Sequence, residues 1–251
     1  MRLLVISDIH ANLEALEACL DAAPEYDRVY NLGDIVGYGA NPNEVTARSR
    51  ELGTTFVRGN HDKACSGLSN LDDFNPIAGL AALWTRQTLA ADHLEFLREL
   101  PQGPLSPMEN VQLVHGSPRD EDEYLLMASD AYLQLAQATV PLIFFGHTHV
   151  QRCFLLEAGS GPGKSLVPAY KSAKGKQSIK LELKANTKYM VNPGSIGQPR
   201  DNDPRAAFAL YDTDANSITF HRIPYDIERA QEKIIAAGLP ERLAIRLAEG
   251  R

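Results

Sequence analysis

Short apolar runs and amphipathic stretches alternate through the first part of the chain. Leu3–Ser7 is a continuous apolar run closed by a serine, the pattern of a strand covered on both faces. Asn12–Leu20 carries Leu13, Ala15, Leu16, Cys19 and Leu20 at helical spacing. Arg28–Leu32 predicts a second strand. Asn43–Leu52 predicts a second helix, with Asn41 or Asn43 as its cap and Gly53 as its stop. Thr54–Val57, rich in β-branched residues, predicts a third strand. This alternation implies right-handed βαβ units and a parallel sheet. Residues 74–100 read as helical with a break near Asp92. Val111–Val114 and Leu142–Phe145 read as buried strands, with a helix over Asp130–Ala138 between them. After Val150 strands dominate: Cys153–Leu156, Ile179–Leu183, Tyr189–Val191, Ala207–Tyr211 and Ile218–His221. Two helices, near Ile227–Ala237 and Pro240–Ala248, close the chain. No internal repeat is visible, and the pattern is that of a single α/β domain over residues 1–251.

One stretch breaks the rhythm. Gly159–Gln177 is rich in Gly, Ser, Pro and Lys and reads as a flexible loop or hairpin insertion at 159–177. Its start, Gly159 to Ser165, imitates a phosphate-binding P-loop. That motif needs four residues between its glycines, and here there are three, with no helix pattern after them.

Composition narrows the setting. A chain of 251 residues buries a sizeable core without staples. No apolar run approaches a membrane span, and the run after Met1 is too short for a signal peptide. Cys19, Cys65 and Cys153 have neither disulfide nor metal spacing, so a reducing cytoplasm is the expected location. The net charge of −7 argues against binding duplex nucleic acid. It leaves a phosphate substrate open, because bound metals invert local charge.

The chemistry lies at the strand ends. Asp8-Ile9-His10, Gly33-Asp34, Gly59-Asn60-His61-Asp62, His115-Gly116 and Gly146-His147-Thr148-His149 each follow a predicted strand. Ligands of open α/β sheets bind outside the carboxyl ends of strands, so five ends can meet at one crevice. A shared carboxylate offsets the repulsion between two cations, and mixed imidazole and carboxylate ligands suit manganese, iron, zinc, cobalt or nickel. In an extended segment, residues two apart share a face, so Asp8 with His10, and His147 with His149, should point inward as pairs.

Each residue taken singly has an ordinary reading. Asp8 or Asp34 could cap a helix, Asn60 could form a turn, and His115 could be a satisfied core histidine. Together they outweigh those readings, because five of the seven histidines fall in these motifs. His93 and His221 fall elsewhere and read as structural.

These motifs, in this order, resemble the signature of the calcineurin-like metallophosphoesterase superfamily across residues 8–149. Asn192-Pro193-Gly194-Ser195 through Arg200-Asp201, and His115-Gly116-Ser117-Pro118-Arg119, resemble segments of its small bacterial and archaeal phosphodiesterase-type members. The resemblance implies a four-layer α-β-β-α sandwich with two facing mixed sheets. It implies two divalent metal ions, with manganese the first choice. Asp8, His10 and His149 would hold one and Asn60, His115 and His147 the other, with Asp34 bridging. His61 would face the scissile phosphate as proton donor, and Asp62 would orient it. The implied reaction is hydrolysis of a phosphoester, a phosphodiester or dinucleoside polyphosphate, by a hydroxide bridging the metals.

Around that centre, Arg119 and Arg200 are candidates to clamp a second anion and Tyr38 to stack on a base. Gly37-Tyr38 stands where the family's phosphoprotein phosphatases carry Asp-Arg, which argues against that activity. The expected partner is a small phosphoester, nucleotide-derived, with no membrane; a homo-oligomer is left open. The competing readings are a nuclease of the same superfamily, whose lysines would be those of Lys164–Lys188, and a non-catalytic interaction module on this fold.

Overall fold

The computed structural model describes residues 1–251 apart from 54, 73, 160 and 162. The chain runs β1 (Arg2–Ile6), α1 (Leu13–Ala22), β2 (Arg28–Asn31), α2 (Pro42–Glu51) and β3 (Thr55–Phe56). It continues through α3 (Asn60–Cys65), α4 (Pro76–Thr88), α5 (Ala91–Glu99), β4 (Leu105–Met108), β5 (Val111–Leu113), α6 (Ala128–Gln137) and β6 (Leu142–Phe144). Then follow β7 (Arg152–Glu157), β8 (Lys164–Leu166), β9 (Gln177–Glu182), β10 (Thr187–Asn192), β11 (Ala206–Asp212), β12 (Ser217–Ile223), α7 (Ile227–Ala236) and α8 (Glu241–Glu249).

The strands form two mixed sheets of six, in the orders β3-β2-β1-β11-β12-β9 and β4-β5-β6-β10-β7-β8. β1, β2 and β3 are parallel, as are β5, β6 and β10, while the other neighbours are antiparallel. The apolar run of β1 is buried on both faces for a simple reason. Leu3 and Val5 point into the interface between the sheets, with Phe144, Val191 and Phe220. Leu4 and Ile6 point the other way, into a layer with Leu16, Val45 and Leu97 of the helices. α6 covers the far face of the second sheet through Ala131 and Leu135 against Phe145 and Phe154. The architecture is therefore the four-layer α-β-β-α sandwich. α4, α7 and α8 form a satellite core with Tyr38.

Several elements differ from the sequence reading. The helical stretch 74–100 is two helices, separated at Leu89-Ala90. β4 carries Pro107, which pattern reading excludes from a strand. As an edge strand it need not donate along its whole length, and its pairing with β5 shifts register there. Within the insertion 159–177, read as a flexible loop or hairpin, Lys164–Leu166 forms β8 antiparallel to β7. Ser160 and Pro162 of that insertion, and Thr54 at the start of the third expected strand, lie outside the described residues.

Candidate metal centre

The carboxyl ends of β1, β2, β3, β5 and β6 open on one edge of the sandwich, and the loops after them carry the motifs. The pairs converge by a different route from the expected one. Asp8, His10 and Ala11 have φ of 52°, 50° and 51°, and Asp34, His147 and His149 have 55°, 66° and 59°. These are left-handed conformations, not extended ones, and each costs a non-glycine residue on the order of 1 kcal/mol. A lattice of hydrogen bonds holds them. Asp8 and His10 donate their N–H groups to the carbonyls of Gly33 and Asp34 at 3.0 Å each. The Asp8 carbonyl accepts from Gly197 N–H at 2.9 Å and from Ser195 Oγ at 2.8 Å. Asn192 Nδ2 donates to the Gly146 carbonyl at 2.7 Å and to Thr148 Oγ1 at 3.0 Å, fixing the His147–His149 turn.

Two clusters of potential ligands result. Asp8, His10, Asp34 and His149 form one, and Asp34, His115 and His147 the other, with ligand atoms in each within 4.8 Å of one another. Asp34 belongs to both. Asn60 Oδ1 lies 3.1 Å from His115 Nε2, which adds it to the second.

Backbone carbonyls assign the tautomers. Nδ1 of His10, His115 and His149 donates to the carbonyls of Val36 (3.2 Å), Leu32 (2.7 Å) and Gln198 (2.6 Å). Their Nε2 lone pairs therefore point into the cluster. His147 is reversed: Nε2 donates to the Asp122 carbonyl at 3.1 Å, leaving Nδ1 for the cluster. His10 Nε2 and His149 Nε2 then face each other at 3.1 Å, lone pair to lone pair. His115 Nε2 likewise faces only acceptors, Asn60 Oδ1 and, at 3.4 Å, Asp34 Oδ2. Among the described residues, the buried Asp8 Oδ2 has no hydrogen-bond partner. Acceptors turned on one another in this way are satisfied by cations, so the donor set fits divalent metals.

The charges agree. Burial disfavours the Asp34 carboxylate, but His115, His61 and His10 outweigh it and hold the carboxyl well below its ordinary range. Burial also opposes a charge on His115, yet Asp34 and Asp8 push it up to about 10. The carboxylates thus demand positive charge at this point, from a proton or from a metal ion. Burial keeps His10 and His149 neutral, well below the usual histidine range, and lowers His147 to about 3.

The remaining candidates separate. His61 is buried beside the cluster, its ring 4.8 Å from His10 and 4.3 Å from Tyr38; Nδ1 has no partner among the described residues. Burial lowers it to about 4. Asp62 was expected to orient His61 and does not. Its carboxylate accepts the backbone N–H groups of Asp34 (2.8 Å), Ile35 (2.8 Å), Val36 (3.3 Å) and Gly59 (3.1 Å). It braces the Asp34 turn. His61 is placed by its own N–H, which donates to Asp34 Oδ1 at 2.8 Å. Tyr38, expected to stack on a base, is buried and packs at a tilt against His10 (4.7 Å) and His61. Arg200 lies beside the centre, donating to Gln198 Oε1 at 3.0 Å. Arg119 is exposed, on a tight turn where Ser117 N–H donates to the Asp120 carbonyl. Among the described residues it makes no contact with the cluster.

Pattern reading also passed over Tyr124, whose ring lies 3.8 Å from His147, and Phe74, 4.9 Å from His61. With Asn60, Lys63 and Asn75 they line a cleft of about 360 Å³ against the centre. Neither sits in a motif, and only the fold brings them there.

A fold of two stacked mixed sheets, with a buried Asp/His/Asn cluster at their strand ends, defines a metal-dependent phosphoesterase class. The sequence matches the calcineurin-like phosphoesterase superfamily domain over residues 1–216, and the chain belongs to that superfamily. It is 37% identical to an uncharacterized protein of Methanocaldococcus jannaschii, over 98% of this chain and 97% of that one. The crystal structure of a metallophosphoesterase from Sphaerobacter thermophilus superposes with a TM-score of 0.85 at 42% identity, covering 100% and 99% of the two chains. A hypothetical protein from Pyrococcus horikoshii OT3 shares the fold, with a TM-score of 0.78 at 22% identity, covering 100% and 98%.

Proposed function

We propose that this chain hydrolyses a phosphodiester or dinucleoside polyphosphate at a pair of divalent cations. One observation carries the reading: Asp34 is common to both ligand clusters. Asp8, His10 and His149 would complete one site, and Asn60, His115 and His147 the other. When bound, such a pair supplies Lewis acidity, activating a water and neutralising charge on the phosphoryl group. The ligand set suits manganese first, with zinc, iron, cobalt or nickel as the alternatives.

The side chains around it do the rest. At neutral pH His61 is uncharged, because burial holds it near 4. An incoming phosphate anion favours its protonated form, so it gains its proton as substrate arrives and can pass it to the leaving oxygen. Tyr38 and Phe74 hold its ring between them. Arg200 offers its guanidinium to a phosphate oxygen. Small phosphoesters fit this cleft better than a nucleic-acid strand. Lys164 and Lys180 sit on different sheets beside Glu157 (3.5 Å) and Glu182 (2.6 Å), and Lys188 caps the carboxyl end of α6.

The test is a panel of monoesters, diesters, cyclic nucleotides and dinucleoside polyphosphates, assayed with manganese, zinc or cobalt. Turnover is expected for diesters or polyphosphates; none with any metal sinks the proposal. His61→Ala is expected to lower kcat about 10²- to 10⁴-fold while metal content stays unchanged. If metal stays bound and turnover of a poor leaving group is undiminished, His61 is not the donor.

A further inference from the structure

We propose that Arg200 and Arg246 form a second anion subsite beside the metal centre, one that selects substrates carrying a further phosphate next to the one cleaved. This rests on the phosphoesterase reading and narrows it. Two guanidinium groups from distant parts of the chain share one aromatic ring. Arg200 follows the Asn192–Gln198 loop, and its guanidinium carbon lies 5.7 Å from the centre of the Tyr38 ring. Arg246 comes from α8, and its guanidinium carbon lies 6.0 Å from the same ring.

Both are partly buried, and neither is neutralised by an acidic side chain among the described residues. Arg200 donates to Tyr38 Oη at 3.4 Å and to Gln198 Oε1, and its buried Nε has no partner. Arg246 Nε donates to the backbone oxygen of Arg251 at 2.6 Å. Among the other half-buried or buried arginines, Arg58 pairs with Glu121 at 3.0 Å, Arg205 with Asp203 at 2.5 Å and Arg222 with Asp201, while Arg86 and Arg152 donate to backbone carbonyls. Two cations held on one ring repel each other. Burial lowers the Arg246 pKa first, and the Arg200 charge lowers it further. Such an arrangement is costly in the empty protein and favourable once an anion bridges it.

Position gives the ligand its chemistry. The Arg200 N–H donates to the His149 carbonyl at 3.1 Å, so Arg200 adjoins the centre, and Arg246 reaches the same Tyr38 ring. Arg200 is also near enough to act on Tyr124 by its charge, and Tyr124 lines the cleft with His61 and His147. A run of positive charge from the metal ligands through Arg200 to Arg246 matches a di- or polyphosphate chain. An ester with one phosphate leaves Arg246 unused.

The experiment compares diadenosine tetraphosphate with bis(4-nitrophenyl) phosphate in excess manganese. In Arg246→Ala, the ratio of kcat/KM for the tetraphosphate over the aryl diester is expected to fall tenfold or more, through KM. Arg246→Lys should recover part of it. Arg242→Ala, one turn away and paired with Glu249 at 3.2 Å, should leave the ratio alone. An unchanged ratio in Arg246→Ala overturns the subsite, as does wild-type turnover of the aryl diester with none of the tetraphosphate. Should Arg246→Ala fail to fold, Arg246→Gln is read the same way. If the wild type hydrolyses neither compound, the phosphoesterase reading is decided separately, by the full panel of esters and metals. The subsite is then read by equilibrium binding of ADP against AMP. A preference for ADP lost in the variant upholds it, and equal binding overturns it.

Discussion

His221 and His10 are both buried imidazoles, and their surroundings give them opposite uses. The Val36 carbonyl, accepting from Nδ1, turns His10 Nε2 towards a cation. His221 stacks on Phe208 at 4.6 Å, with both ring nitrogens buried and unpartnered among the described residues. Burial, with Lys176 adding to it, lowers His221 to about 4. The sign follows: between pH 6.5 and about 4 the unfolded chain binds the proton and the folded chain does not. Stability is therefore present above that window and lost as pH falls through it. At about 1.4 kcal/mol per pH unit the loss is on the order of 3 kcal/mol. His221→Leu should remove it, so the variant should gain on the wild type steadily from pH 6.5 to 4 in urea denaturation. Parallel pH profiles would refute this. Asp62 teaches a related lesson. Next to His61 in sequence, it looks like a partner for that ring, yet at the start of a helix its carboxylate turns back to four backbone N–H groups. An acidic residue in the first helical turn answers the unpaired amides nearby before it answers a distant side chain.

The loop from Asn192 to Asp201 does for the centre what a single side chain cannot. It supplies the Gln198 carbonyl to His149, the Ser195 hydroxyl to the Asp8 carbonyl, and the Asn192 amide to the turn after β6. Gly197 makes this closeness workable, since a Cβ there would overlap the Ile9 carbonyl. Gly197→Ala should push the loop off β1 and weaken metal binding tenfold or more in a calorimetric titration. Gly175→Ala, with φ of 69° but nothing within 4 Å, should cost only about 1 kcal/mol and leave metal affinity alone. Equal metal affinity in Gly197→Ala and wild type would remove the loop from the account. The elements themselves were largely legible. β1 and β6 show as apolar runs because both faces of each are covered, and α1 and α7 show as apolar stripes because one face is. What sequence hides is whatever depends on partners far along the chain. The left-handed turns at Asp8, His10, His147 and His149 are held by hydrogen bonds to residues far along the chain, and no local pattern announces them. β4 and β8 lack alternation because they are edge strands, and Tyr124 and Phe74 reach the cleft, and Arg246 the Tyr38 ring, only through tertiary packing.

The molecule as a whole places acidic groups where a lone protein would not keep them. Its net charge is −7, and Asp8, Asp34 and Asp62 are all buried near one another. Burial pushes Asp8 and Asp62 up to about 7, and Asp34 adds to both. Facing imidazole lone pairs add further repulsion. The folded state should therefore bind divalent cations far better than the unfolded chain, and chelation should destabilise it. At a free metal concentration of about 100 Kd the gain is about 2.7 kcal/mol per site. For a chain of this size that corresponds to roughly 5–10 °C in Tm. Manganese added to chelator-treated protein should raise Tm by that much, and no rise with manganese, zinc or cobalt would deny the centre. The number of ions can be read from the same curves. If Asp34 serves two metals, Asp34→Asn should weaken two binding steps at once. His149→Ala should weaken one, His147→Ala the other, and the two losses should be separable in one titration. A single step that disappears in all three variants would reduce the centre to one ion, because only a shared ligand couples two otherwise distinct sites.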